Sequence, residues 1–272
     1  MNFNTYPFNY LKSIRNPITA FQNRHQLKWS QIAVVFTFIT FLMTAPVYTH
    51  YQKVESFSFY DFYPEIVDMI DEEVISEIQQ IDLNNGEMTN QNSFKVEADQ
   101  GTIVIHSKIN TNDYEDAINF LGFEKKQFVV RDDSEEPRIV PYLTTTSFKG
   151  KNKEQIIEEL SEAYTITNGS GIIVSLILVI YGFILLFNAF VIFVYAYLLK
   201  SMQDFTMSSI ITYRESVNLV LNLIAIPTIL AMIFGFIRFN LITMFGIQVI
   251  ALIAMLVYLF QQTQFIDEED RI

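Results

Sequence analysis

The chain has 272 residues, half of them hydrophobic, with 25 Phe and 14 Tyr, yet its formal net charge is -12. A soluble domain that acidic is rarely that apolar, and the conflict resolves by segment: residues 51–168 hold 10 Lys and Arg against 24 Asp and Glu, a net of -14. The balance excludes duplex nucleic acid, which needs a basic surface, and the absence of Cys excludes a disulfide framework or thiolate metal site.

In chain order, residues 1–30 form a segment in which Leu11, Ile14, Ile18 and Phe21 recur at helical spacing beside Lys12, Arg15 and Arg24, with Pro17 breaking or restarting the helix. Such a segment suits the inner membrane surface, or docking onto the cytoplasmic side of another membrane protein. Residues 31–50 then run without a formal charge, close to the roughly 20 residues a helix needs to cross hydrocarbon. No small-x-small cleavage site follows, so this run is expected to be a permanent signal anchor.

Residues 51–168 read as an acidic α+β domain. Ile66, Ile70, Val74 and Ile78 stand four apart, which predicts one amphipathic helix. An Asn-Gly turn follows, FKVEADQGTIVIHSK alternates about a Gln-Gly turn as a hairpin, and QFVVRDD and RIVPYLTTTSF predict further strands. KNKEQIIEELSEAY closes the domain as a helix, with Asn152 as its cap, and leads into the second span.

Residues 172–199 contain 28 consecutive residues without a charge, a helix of about 42 Å at 1.5 Å per residue. That exceeds the hydrocarbon thickness of about 30 Å, so tilt or projection is expected. An amphipathic linker at 200–216 precedes apolar runs at 217–237 and 241–260, separated only by Arg238, Phe239 and Asn240, which predicts a tight helical hairpin. The acidic tail occupies 261–272. The fold class expected is therefore an α-helical integral membrane protein of about four transmembrane helices, with an extracytoplasmic α+β domain inserted between the first and second. Lys12, Arg15, Arg24, Lys28, Lys200 and Arg214 place both termini in the cytoplasm and residues 51–168 outside the cell membrane.

Within the spans, Asn218 and Asn222 lie one turn apart on one face of the third, and Asn188 and Gln248 lie in the second and fourth. Amides in hydrocarbon must find partners, so an interface between helices of the chain, or with a partner's helix, is favoured over a polar cavity. Pro227 should kink the third span. No Asp, Glu, Lys or His lies deep in any span, which argues against a proton-coupled transporter or a charged filter.

No catalytic, cofactor-binding or metal residue is predicted, because HExxH, GxSxG and phosphate-binding glycine loops are all missing. His106 reads as an ordinary strand residue. Asp132, Asp133, Glu135 and Glu136 lack the spacing of a dedicated Ca²⁺ loop and read as a solvated turn.

LKSIRNPITAFQNR before the first span, the large outer domain of alternating strands, and YRESVNLVLNLIAIPTIL entering the third span together resemble a family. It comprises Gram-positive membrane proteins labelled maltodextrin-utilization proteins, of the YvdJ and MalA type; the last part is also similar to the broader Yip1-like membrane fold. The resemblance implies association with sugar-uptake operons and brings no catalytic residue. The leading expectation is a non-enzymatic accessory protein that binds another membrane complex, with a carbohydrate ABC transporter as candidate. An envelope sensor acting through the outer domain is the alternative.

Overall fold

The structure is a computed structural model that describes residues 6–90, 93–98, 101–106, 108–109, 117–132, 136–203 and 208–270. The chain divides into two units, a helical one of Met1–Lys53 and Ile173–Ile272 and an α+β one of Val54–Ile172. The second corresponds to the acidic segment, its boundaries shifted by three or four residues.

The helical unit opens with two short helices, α1 (Phe8–Ser13) and α2 (Pro17–Gln22). They separate where Pro17 cannot continue a helix but suits its first turn, and the Asn16 side chain accepts from the Ile18 N–H at 2.9 Å. Among the described residues, four helices are long and apolar enough to cross a membrane: α3 (Trp29–Tyr51), α6 (Lys153–Met202), α7 (Tyr213–Ile237) and α8 (Leu241–Thr263). The closing helix and the second span are one element, α6; Asn152 and Gln155 form a reciprocal cap at its start, with bonds of 3.0 and 3.1 Å. Helices α7 and α8 make the tight hairpin, in which Asn240 caps α8 by accepting from the Thr243 N–H.

Small residues set the packing between spans. A Cβ at Gly235 would lie 2.7 Å from Met244 Sδ and 2.9 Å from Pro46 Cβ, so only glycine lets α3, α7 and the start of α8 approach there. Pro46 and Pro227 both lie inside continuous helices.

In the α+β unit the predicted single helix is two, α4 (Pro64–Asp68) and α5 (Glu72–Gln79), because Asp71 takes an extended conformation and caps α5 through the Val74 N–H at 2.9 Å. The buried positions still share one face: Ile66, Ile70, Val74 and Ile78 all enter the core. Strands β1 (Leu83–Asn84) and β2 (Glu87–Met88) pair about Asn85 and Gly86, both left-handed, as a two-residue hairpin turn requires.

The main sheet has order β3-β4-β5-β6-β7: β3 (Phe94–Ala98), β4 (Gly101–Ile105), β5 (Asn119–Phe123), β6 (Gln127–Asp132) and β7 (Arg138–Pro141). All neighbours are antiparallel except β4 and β5, which are parallel. One face carries Ile103, Ile105, Leu121, Phe123, Phe128 and Val130 into a core shared with α4, α5 and the start of α6. The other carries Val104, Phe120 and Val129 beneath Ile109. Gly122 belongs to that second face, where a Cβ would fall 2.2 Å from Ile109 Cδ1. Strand β7 ends at Pro141, so TTTSF is turn rather than strand. His106 stands just past β4, exposed, its Nδ1 2.8 Å from the Lys108 carbonyl oxygen. Of the acidic turn, Asp133 and Glu135 lie outside the described residues.

Candidate functional site

Polar groups occur at two levels of the helical unit. In mid-bundle, Gln248 Nε2 on α8 donates to Asn188 Oδ1 on α6 at 2.9 Å and to Thr228 Oγ1 on α7 at 2.7 Å, while Asn188 Nδ2 lies 3.5 Å from Thr40 Oγ1 on α3. All four side chains are buried. Two of the predicted amides thus meet, joined by two threonines that the sequence reading did not single out. Thr228 stands next to Pro227 and also donates to the Ile224 carbonyl at 2.9 Å, the usual back-bond of a helical threonine to the carbonyl four residues before it.

Asn218 and Asn222 do not join this knot. They are 0% and 2% exposed, inside the chain's own bundle, and among the described residues neither Asn218 side-chain atom nor Asn222 Oδ1 has a hydrogen-bond partner. A buried polar group without a bond is destabilising. Replacing Asn218 with Leu, of similar shape, should therefore leave thermal stability unchanged or raised. Gln248→Leu should lower it by about 1 kcal/mol, since membrane interhelical bonds average about 0.6 and reach about 1.7. Thermal unfolding of the purified full chain checks the contrast, and equal losses in both variants would contradict it.

The second level is one end of the bundle. Arg24, in the loop after α2, is 1% exposed. Its Nη1 and Nη2 donate to Asp267 Oδ1 and Oδ2 at 2.8 and 2.6 Å, a bidentate fork. Nη1 also donates to the Phe21 carbonyl and Nη2 to the Ser209 carbonyl, both at 3.0 Å, and the guanidinium lies 4.2 Å from the Phe21 ring centroid. Glu215 Oε2 is 3.8 Å from Nε, and Glu215 Oε1 is 3.5 Å from His25 Nδ1. Glu215 is itself held by Thr212, whose hydroxyl donates to it at 2.7 Å, and by the Ile211 N–H at 3.0 Å.

This clasp gathers the N-terminal segment, the α6–α7 connection and the C-terminal segment at one end of the bundle. It also places parts of both terminal segments. Of the apolar stripe at 1–30, Phe21 is buried in the bundle core beside Ala20 and Ile14 packs against that core, whereas Leu11 is exposed. Within the acidic tail, Phe265 is buried and Asp267 is paired with Arg24. Nothing in periodicity or composition joins residue 24 to 267. A cleft of about 310 Å³ lies beside the clasp, lined by Gln22, Arg24, His25, Asp267, Glu268 and Glu269 among others. Among the described residues, no group of three or more His, Asp or Glu could hold a metal ion.

The four long apolar helices among the described residues fit a multi-pass membrane protein. The chain belongs to the family described as "Protein of unknown function (DUF1189)", which it matches over residues 11–262. It is similar to the "Maltodextrose utilization protein MalA" of Streptococcus pneumoniae (strain ATCC BAA-255 / R6), at 23% identity over 268 residues, covering 96% of this chain and 97% of that one. It is also similar to the "Putative maltodextrin utilization protein YvdJ" of Bacillus subtilis (strain 168), at 22% identity over 260 residues, covering 92% and 87%. No solved structure matches.

Proposed function

We propose that the chain is a non-enzymatic accessory protein of the cell membrane that binds another membrane complex, the candidate being a carbohydrate (maltodextrin) ABC transporter. The observation that carries this reading is the mid-bundle knot of Thr40, Asn188, Thr228 and Gln248. Its four side chains are linked by hydrogen bonds from Gln248 Nε2 and Asn188 Nδ2 and include no ionisable group for proton or ion movement. The names of the two relatives supply the sugar. Residues 51–168 face outward in this reading, and both termini face the cytoplasm with the basic residues that flank the spans.

In a host that carries the gene, deleting it should slow uptake of labelled maltodextrin while leaving glucose uptake unchanged. Unchanged maltodextrin uptake would remove the sugar link. Orientation is read separately, using the absence of native Cys. A Cys at exposed Thr145 should react with an impermeant maleimide on intact cells, and one at Ser201 only after lysis; labelling of Ser201→Cys on intact cells would reverse the assignment. Helix α6, shared by the two units, supports the envelope sensor as a second reading. A sensor requires a ligand that binds two states unequally, so a sugar that changes Ser201→Cys labelling in lysed membranes would favour it.

A further inference from the structure

Helix α8 ends at Thr263, and the next two residues, Gln264 and Phe265, both take left-handed backbone conformations, with φ of 51° and 56°. Neither is glycine, so the reversal is strained and persists only because the segment beyond it is anchored. There are two anchors. The Phe265 ring is 3% exposed against Phe21 and Phe260, at centroid separations of 6.2 and 5.4 Å, and its carbonyl accepts from the Ser209 N–H at 2.8 Å. Two residues on, Asp267 takes the Arg24 fork, and its N–H donates to Ser209 Oγ at 2.9 Å.

The two partners of the fork differ in exposure. The Asp267 side chain is 37% exposed at the rim of the cleft, whereas the Arg24 side chain is 2% exposed and also faces Glu215 at 3.8 Å. The guanidinium therefore keeps an acidic neighbour when Asp267 leaves. Phe265 forms part of the wall of an apolar groove of about 240 Å³ with Tyr195, Leu199, Leu256 and Phe260. The seat of the ring against Phe21 and Phe260, the backbone donor at Ser209 and the arginine fork two residues further along make one socket, beside that groove. It is filled here by Phe265, Ile266 and Asp267.

We propose that this socket is a peptide-recognition site for an aromatic–x–carboxylate segment of another protein, and that residues 265–267 occupy it as a tethered self-ligand that such a segment displaces. The charge complementarity of Arg24 and the chain's own segment in place define that occupant. The proposal deepens the accessory-protein reading and rests on it for the existence of a partner.

The test adds a fluorescent Phe-Ile-Asp-Glu-Glu peptide to the full chain in mild detergent and reads anisotropy. Tethering holds the native segment at an effective concentration in the mM range. The double variant Phe265→Ala with Asp267→Asn should therefore bind the peptide at least tenfold more tightly than the unaltered chain. Replacing the peptide's Phe by Ala, or its Asp by Asn, should cost that variant at least tenfold. No binding by a double variant that still unfolds cooperatively, or equal binding by both chains, would overturn the proposal. If the double variant fails to fold, Asp267→Asn alone gives the same readout, and no gain over the unaltered chain is again a refutation. Peptide binding combined with no captured membrane partner would leave the socket standing and remove the accessory reading. A captured partner combined with no peptide binding would do the reverse.

Discussion

Arg24→Ala should destabilise the helical unit by about 3–5 kcal/mol, the usual cost of removing one partner of a buried ion pair. The loss is large because the guanidinium is 1% exposed and serves three segments at once: the Phe21 and Ser209 carbonyls, the Asp267 carboxylate and, at 3.8 Å, Glu215. Its removal leaves Glu215 buried, with His25 as its remaining basic neighbour among the described residues. Asp267→Asn should cost less, since Asp267 is 37% exposed and water can solvate what remains. Denaturant unfolding of the full chain in detergent measures both, and a double-mutant cycle separates the pair from the rest. A loss below about 1 kcal/mol for Arg24→Ala would place the clasp among ordinary surface ion pairs.

In the α+β unit the largest single effect is expected at Phe59, where truncation to Ala should cost about 3–5 kcal/mol. Its ring is fully buried and lies 4.9 Å from Tyr63, 5.8 Å from Tyr164 and 6.1 Å from Phe128, centroid to centroid. Its N–H donates to Ser161 Oγ at 2.8 Å. It therefore joins the segment after α3 to α6 and to the sheet, so its loss opens a cavity where three elements converge. Residues 54–172 have their own core and should unfold cooperatively when expressed alone, which gives a direct measurement by thermal circular dichroism. A fall of under about 1 kcal/mol on Phe59→Ala, or a non-cooperative transition in the unaltered unit, would contradict this account of the core.

The sequence showed most where a pattern repeats along the chain. The four spans, the β3–β4 hairpin, the Asn85-Gly86 turn and the buried stripe from Ile66 to Ile78 are all local periodicities or turn signals. Strand β5 was missed because all five of its residues are buried, so Asn119–Phe123 carries no alternation of polar and apolar positions. The break between α4 and α5 hides inside an unbroken four-residue spacing, because Asp71 acts through its backbone and cap rather than through hydrophobicity. In the candidate site, Asn188 and Gln248 were legible as amides in hydrocarbon that need partners. Thr40 and Thr228 were not, since threonine is common in spans and its role depends on which helix faces it. The Arg24–Asp267 fork joins residues 243 apart, and only the assembled bundle brings them together.

Capture tests most directly whether the chain works bound to another membrane complex. The full chain, carrying an N-terminal tag so that Phe265–Asp267 stays native, is purified in mild detergent from membranes of a host that carries the gene and grows on maltodextrin. The account predicts that permease subunits of a carbohydrate ABC transporter are recovered in near-equal amount, and are lost when an unrelated tagged four-span protein is purified in the same way. Recovery of the chain alone, folded by its thermal transition and without any membrane protein in comparable amount, would contradict it.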